Sequence, residues 1–122
     1  GARCFVSVHC NSAGGVAAGR ACGVESWHYE GSERGRRLAG MVQGRLAAVT
    51  GARDRGVKGS RALAVLKGTR MPAVLVECGF LTNAAERMLL GTPGYRQAAA
   101  GAMAEGVDEY LRNEGEVEGQ DA

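Results

Sequence analysis

Two apolar segments separated by an amphipathic helix pattern constrain the fold most strongly. Residues 3–10 (RCFVSVHC) and 73–78 (AVLVEC) are short, apolar and rich in valine, which is typical of strands buried in a sheet. Between them, residues 33–49 repeat apolar side chains at helical spacing, after a capping Ser32 and before Gly51. Strands that alternate with helices predict an α/β fold, an open, twisted, mostly parallel sheet flanked by helices on both faces.

The remaining segments predict shorter elements. We expect two further strands at 23–29 and 63–67 and loops at 11–23 and 52–61. Asn83, with Glu86 three residues later, resembles a capping box that opens a short helix through Leu90.

Thr92 and Pro93 predict the start of a last helix, whose apolar side chains recur at helical spacing as far as Leu111. The acidic residues that follow show no periodicity. We therefore expect one domain over residues 1–112 and a disordered acidic tail over 113–122.

Composition is compatible with a folded domain. The chain has 15 basic and 13 acidic residues, and a formal net charge of +2 is too small to favour disorder. No apolar run is long enough for a membrane span. The four cysteines fit neither a zinc knuckle nor a dense disulfide framework, so we expect mostly reduced, buried thiols. Cys4 and Cys10 lie about 20 Å apart on one predicted strand, which excludes a bond between them, but a bridge that involves Cys22 stays open.

Residues 34–70 hold ten basic residues and one acidic residue. The stretch has no aromatic residue for base stacking and no helix-turn-helix pattern, which argues against nucleic-acid binding. A solvated helix face, or attraction to an anionic polymer such as a cell wall, fits better.

Two titratable residues stand near the carboxyl ends of predicted strands, His9 in the first strand and Glu77 in the AVLVEC strand. Ligands bind at that edge of open α/β sheets. Each residue also has a structural alternative: His9 as a hydrogen-bonded core histidine, and Glu77 as the partner of an arginine. A carboxylate flanked by apolar residues is costly to bury unpaired, so Glu77 needs a metal, a cation or a raised pKa.

The pair could support two chemistries. In one, His9 binds Zn²⁺ and Glu77 takes a proton from a water and passes it to a leaving group. In the other, Cys10 or Cys78 is a nucleophile. Each of these cysteines directly follows its would-be base on a strand and points to the opposite face, which favours the zinc hydrolase.

Five blocks in order resemble one known family. The chain is similar to the zinc-dependent N-acetylmuramoyl-L-alanine amidases, the open α/β cell-wall enzymes that include autolysins, spore-cortex lysins and phage lysins. The blocks that carry the resemblance are FVSVHCNSA (5–13), GVESWHY (23–29), DRGVKG (54–59), LAVLKGTRMPAVLVECGFLTN (63–83) and LLGTPGYRQAAAGAMAEGVDEYL (89–111).

The resemblance implies hydrolysis of the amide between N-acetylmuramic acid and the L-alanine that begins the peptidoglycan stem peptide. By motif, His9 would be a zinc ligand and Glu77 the general base and acid. Asn11 would orient the loop or the substrate. We expect Asn83 to be a helix cap and His28 to be structural.

The family's other two zinc ligands lie upstream of the block that contains His9, which implies that this chain is about the later two-thirds of a catalytic domain, with the N-terminal strands missing. The expected partner is peptidoglycan, and we expect neither a nucleic-acid partner nor a membrane span. The expected location is extracellular or in the cell wall. We expect a monomer. An alternative stays open: a remnant that holds peptidoglycan without cutting it.

Overall fold

The computed structural model describes the backbone of residues 1–121 and the side chains of residues 1–114. Strands and helices alternate, which confirms the predicted α/β class. Their order is β1 (Phe5–Asn11), a 3₁₀ turn (Gly15–Ala17), β2 (Val24–Tyr29), α1 (Glu33–Thr50), β3 (Asp54–Ser60), α2 (Ala64–Lys67), β4 (Ala73–Phe80), α3 (Ala84–Leu90) and α4 (Pro93–Asp121).

The four strands form one sheet in the order β1-β4-β2-β3. Strand β1 pairs parallel to β4, and β2 pairs parallel to β3, whereas β2 and β4 run antiparallel. The sheet is therefore mixed, with two parallel pairings out of three, as the prediction of a mostly parallel sheet requires. The central strand is β4, whose residues are nearly all buried.

The main core lies between one face of the sheet and the helices α1 and α4. The side chains on this face alternate with those of the opposite face, as the period of a strand requires. The fully or nearly fully buried members of this core are Val24, Leu38, Ala39, Val42, Leu46, Val74, Val76, Cys78, Ala99, Met103 and Tyr110.

The opposite face of the sheet is covered differently from the prediction. Among the described residues, only the single turn of α2 packs on it, where Leu66 contacts Ala73 and Leu75. Trp27 and Tyr29 flank this small cluster. The expectation of helices on both faces holds only in part: the long helices lie on one face, and much of the other remains open.

Strand β1 is less buried than predicted. It lies at the edge of the sheet and pairs with β4 alone among the described residues. Phe5 is 38% exposed and Val8 is 57% exposed. Apolar content predicted a buried strand, but burial depends on the position of the strand in the sheet, which its own sequence does not encode.

Two element predictions are wrong. Residues 54–60 form strand β3 rather than a loop, because an edge strand needs only backbone pairing with β2, and none of its side chains is fully buried. Residues 63–67, predicted as a strand, contain the helix α2 with Leu63 as its N-cap. Leu66 is the buried residue of α2 and packs this helical turn against the sheet. A single buried leucine is compatible with a helical turn and does not require the alternating burial of a strand.

The predicted helix boundaries are confirmed at the caps. The Ser32 hydroxyl accepts a hydrogen bond from the Gly35 N–H at 3.0 Å, and Gly51 ends α1 with a φ of 68°. The Asn83 side chain accepts from the Glu86 N–H at 3.1 Å at the start of α3. Glu86 does not complete the capping box, because its carboxylate binds other backbone donors.

The basic stretch lies partly on a solvated helix face. Arg37 of α1 donates to the Glu114 carboxylate at 2.8 Å, and Arg45 donates to Glu109 at 3.1 Å. Helix α4 continues beyond the predicted domain boundary at Arg112. The separate tail stays a prediction, because the side chains of residues 115–122 and the backbone of Ala122 lie outside the described residues.

All four cysteines are free, in agreement with the expected reduced state. Only Cys78 is buried, whereas Cys10 is exposed and the other two are intermediate, so the expectation of buried thiols holds for one residue. Of the helices within residues 1–121, none combines the length and the apolar character that a membrane crossing requires.

Candidate active site

The structure brings His9 and Glu77 side by side. They are register partners in the parallel pairing of β1 with β4, so their side chains share one face of the sheet. This is the face that α2 leaves mostly open. The sequence predicted that His9 and Glu77 lie near the carboxyl ends of two strands, at one edge of the sheet. The register agrees with this prediction.

His9 is an exposed residue, so the alternative of a buried core histidine is wrong. Its Nε2 lies 2.7 Å from the Ser7 hydroxyl oxygen, two residues earlier on the same face. The ring is therefore oriented by one hydrogen bond while it stays accessible to a ligand.

Glu77 has a buried carboxylate oxygen, Oε2, without any hydrogen-bond partner among the described residues. No described arginine or lysine forms an ion pair with Glu77, so the pairing proposed as its structural alternative does not occur in this part of the chain. Burial raises the pKa of the Glu77 carboxyl, nearby His9 opposes this shift, and the charge of Glu25 adds to it. A carboxyl in such surroundings is suited to exchange a proton.

Sequence reasoning missed Glu25, which lies on the other side of Glu77. The antiparallel pairing of β2 with β4 makes Glu25 and Glu77 register partners. The Glu25 side chain is only 6% exposed and pairs with Arg55, at 3.2 Å, and with Lys58. Burial alone would raise the pKa of Glu25, but the hydrogen bonds and charges of Lys58 and Arg55 outweigh it and lower this pKa.

Asn11 connects this acidic residue to the first strand. Its side-chain amide donates to Glu25 Oε1 at 2.8 Å, and its carbonyl oxygen accepts from the Ser12 N–H at 2.9 Å. The contacts fit the predicted orienting role towards the loop, whereas the predicted role towards substrate stays a prediction. We name the four residues Asn11, Glu25, Arg55 and Lys58 the Glu25 cluster.

Two other predicted roles agree with the structure. Asn83 caps α3, as described above, and forms no hydrogen bond with Glu77 among the described residues. His28 is 9% exposed, and its Nδ1 lies 3.0 Å from the carbonyl oxygen of Tyr29, which fits a structural residue.

The thiol alternative is further weakened by the environment of Cys78. Burial, together with the charges of Cys10 and Glu77, raises the pKa of the Cys78 thiol to about 11. A thiol in this state is almost entirely protonated at neutral pH and is a poor nucleophile.

The described residues do not by themselves form a metal site. His9 is accessible and Glu77 has an unpartnered oxygen, but no group of three or more His, Cys, Asp or Glu side chains within residues 1–114 is close enough to hold a metal ion. A catalytic zinc site normally uses three protein ligands and a water. These residues alone therefore do not fit a complete zinc site.

Comparison with known proteins identifies the family. The family model described as N-acetylmuramoyl-L-alanine amidase matches residues 1–109. The chain belongs to this amidase family. The match confirms the resemblance that the five sequence blocks indicate.

Relatives of this amidase chain support the assignment and show its extent. The uncharacterized protein YqiI of Bacillus subtilis is 45% identical over 109 residues, which cover 87% of the chain and 50% of YqiI. N-acetylmuramoyl-L-alanine amidase LytC of the same organism is 38% identical over 111 residues, which cover 88% of the chain and 21% of LytC. The chain thus spans half or less of the length of these curated relatives.

A solved amidase has the same fold. The crystal structure of N-acetylmuramoyl-L-alanine amidase from Clostridium difficile 630 superimposes with a TM-score of 0.84 at 33% identity. The match covers 91% of this amidase chain and 59% of the solved chain. The chain thus corresponds to part of a catalytic domain, as expected from the sequence.

Proposed function

We propose that the protein containing this chain hydrolyses the amide bond between N-acetylmuramic acid and L-alanine in peptidoglycan, with Glu77 as the general base and acid. The observation that carries the proposal is a buried oxygen of Glu77 that has no hydrogen-bond partner within residues 1–114, on a strand paired in register with His9, in a chain of this amidase family. The name of LytC, an N-acetylmuramoyl-L-alanine amidase, supports the choice of substrate.

In the proposed reaction, Glu77 first accepts a proton and then donates it. As a carboxylate it takes a proton from the attacking water, and the resulting carboxylic acid gives this proton to the nitrogen of the departing L-alanine. The raised pKa of Glu77 favours both steps, because it brings the proton affinity of the carboxylate closer to neutral pH.

Zinc is the cofactor that the resemblance implies, and we propose His9 as one of its ligands. When bound, zinc would lower the pKa of a water and polarise the amide carbonyl. His9 is accessible for this role, and its Ser7 contact fixes the ring. The further ligands of a complete site are not among residues 1–114, so we propose that they come from another part of the protein.

A second candidate function is peptidoglycan binding without cleavage. This candidate requires that the whole protein, like residues 1–114, lack a complete set of metal ligands. Zinc analysis of the purified whole protein separates the two candidates. About one bound ion per molecule supports the hydrolase, and its absence, together with retention on cell-wall sacculi, supports the binding protein.

The main test is the release of stem peptides from muropeptides by the whole protein. Glu77→Gln removes the base while preserving shape, and we expect a loss of about 10²- to 10⁴-fold in kcat. Glu30→Gln is the matched control, because Glu30 is 62% exposed at the end of β2 and makes only a 3.7 Å contact with Arg61. Equal rates for the parent and Glu77→Gln would show that Glu77 has another role. A cell-wall or extracellular location belongs to the same proposal.

A further inference from the structure

Two cations converge on one buried carboxylate next to Glu77. Arg55 Nε lies 3.2 Å from Glu25 Oε2, and the Lys58 ammonium contacts the same oxygen. Asn11 occupies the other oxygen of Glu25. One cation would balance the charge of Glu25, so the Glu25 cluster carries an excess charge of +1.

Both cations are held in place by further contacts. The Arg55 guanidinium lies over the Phe80 ring, 5.0 Å from its centroid, and donates to the Cys22 carbonyl oxygen at 3.4 Å. The Lys58 ammonium lies 5.6 Å from the centroid of Trp27. Fixed cations lose little further side-chain entropy when they bind a ligand.

Neither cation is sealed from solvent. The Arg55 side chain is 27% exposed, and that of Lys58 is 35% exposed. A lysine ammonium has three N–H donors and a guanidinium has five, so the contacts with Glu25 and Cys22 leave donors unused. The unused donors are suited to an anionic group in the open part of the site.

The separation between the strand of Glu77 and these donors corresponds to one or two residues of an extended peptide. Glu25 is on the strand next to that of Glu77, and adjacent strands are about 4.8 Å apart. Lys58 reaches Glu25, so its ammonium lies roughly one strand spacing from the strand of Glu77. One extended residue covers about 3.5 Å, so a ligand held at Glu77 would reach Lys58 one or two residues further on.

We propose that Arg55 and Lys58 form a subsite for a carboxylate group of the stem peptide, one or two residues beyond the bond that is cut. Because it names the substrate group bound beside Glu77, the proposal rests on the proposed amidase function. Glu25 positions the two cations and does not itself contact the substrate. The subsite makes an acidic stem peptide a better ligand than one with an amidated carboxyl group.

The test compares two substrates that differ in one group: N-acetylmuramoyl-L-alanyl-D-glutamate with a free α-carboxylate and the same compound with that carboxylate amidated. We expect the whole protein to prefer the free acid by about tenfold in kcat/KM, mainly through KM, because the contact is made before and during the reaction. Lys58→Met removes one cation and leaves Glu25 paired with Arg55 and Asn11, so we expect this variant to lose most of the preference.

Two further variants separate the subsite from a structural effect. Lys58→Arg retains the charge and should keep most of the preference. Lys67→Met removes an exposed lysine at the end of α2 and should leave the preference unchanged. An equal preference in the parent and Lys58→Met would overturn the subsite while cleavage itself still supported the amidase.

A binding measurement covers the case in which neither compound is cleaved, which would contradict the proposed function. Calorimetric titration with L-alanyl-D-glutamate and with its amidated form measures the affinity of each peptide without catalysis. Tighter binding of the free acid to the parent, lost in Lys58→Met, supports the subsite. Equal binding of the two peptides to the parent overturns it.

Discussion

Gly106 of α4 packs directly on the backbone of Val42 in α1. A β-carbon placed on Gly106 would lie 2.7 Å from the Val42 Cα and 2.9 Å from the Met41 carbonyl oxygen. These are backbone atoms, which cannot rotate away as a flexible side chain can. The contact of α1 with α4, which closes the main core, therefore depends on the absence of a side chain at position 106.

We predict that Gly106→Ala destabilises the protein although alanine favours helices. The added methyl group forces α4 away from α1, and overpacking of this kind costs about 1–3 kcal/mol. Gly101→Ala is the control on the same helix, because a β-carbon there meets nothing within 4 Å. It should stabilise the protein by about 0.5–1 kcal/mol through helix propensity. Urea unfolding measures both, and equal effects of the two substitutions would contradict the prediction.

Gln43 joins α1 to two strands through a buried amide. Its carbonyl oxygen accepts from the Ser26 hydroxyl at 2.9 Å, and its Nε2 donates to the Val24 carbonyl oxygen at 2.9 Å and to Asp54 at 2.7 Å. Gln43→Leu keeps a similar volume but leaves the buried Ser26 hydroxyl and the Val24 carbonyl with one partner fewer. We predict a loss of about 2–4 kcal/mol in the free energy of unfolding.

The control for this prediction is Gln97→Leu on the exposed side of α4, which should change the free energy of unfolding by less than about 0.5 kcal/mol. Thermal and urea unfolding of both variants provide the measurement. If Gln43→Leu were as stable as the parent, the buried amide would have no net stabilising effect.

The sequence predicted the elements whose own pattern determines them. Helix α1 has an apolar stripe and two caps, and β4 is apolar because it is central, so both were located correctly. His9 and Glu77 could be brought together because each stands near the end of its strand and the two strands are parallel.

The Glu25 cluster could not be predicted, because its parts depend on long-range pairing. Glu25 stands in a predicted strand, but its two cations come from β3, whose polar sequence indicates a loop. An edge strand held by backbone hydrogen bonds has no apolar signature. The signal in the sequence was an acidic residue inside the predicted strand 23–29, which predicts a nearby cation without identifying it.

Glu86 connects α3 to the start of β2 and the end of β4. Its two carboxylate oxygens accept from the Gly23 N–H at 2.8 Å and from the Phe80 N–H at 2.9 Å. Glu86→Gln replaces one carboxylate oxygen with an NH₂ group. This group is a donor and would face a backbone N–H that it cannot accept from. We predict a loss of about 1–3 kcal/mol in stability, because hydrogen bonds to a charged acceptor are among the stronger ones.

Glu105→Gln is the control for Glu86, because the Glu105 side chain is 62% exposed and its nearest cation, Arg45, is 3.5 Å away. A surface pair of this kind contributes little, so we expect a change below about 0.5 kcal/mol. Hydrogen exchange at the Gly23 and Phe80 amides gives a local readout. Faster exchange at both amides in Glu86→Gln is expected, and unchanged exchange would contradict the prediction.

The stabilising effect of Glu25 should depend on pH in a defined direction. Its pKa is lowered in the folded protein, since Lys58 and Arg55 outweigh the effect of burial. A carboxyl whose pKa is lower when folded contributes its full stability above the pKa of the unfolded chain, about 4.3 for glutamate. This stability is lost as the pH falls through the lower pKa of the folded state.

We therefore predict that Glu25→Gln lowers the free energy of unfolding by about 2–3 kcal/mol at pH 7. This loss is smaller than that expected for a fully buried ion pair, because both cations are partly exposed. The difference between parent and variant should stay constant down to about pH 5 and shrink below about pH 4. Urea unfolding at a series of pH values measures it, with the exposed Glu30→Gln as the control. A difference that stayed the same down to pH 2 would show that the charge of Glu25 is not what stabilises the cluster.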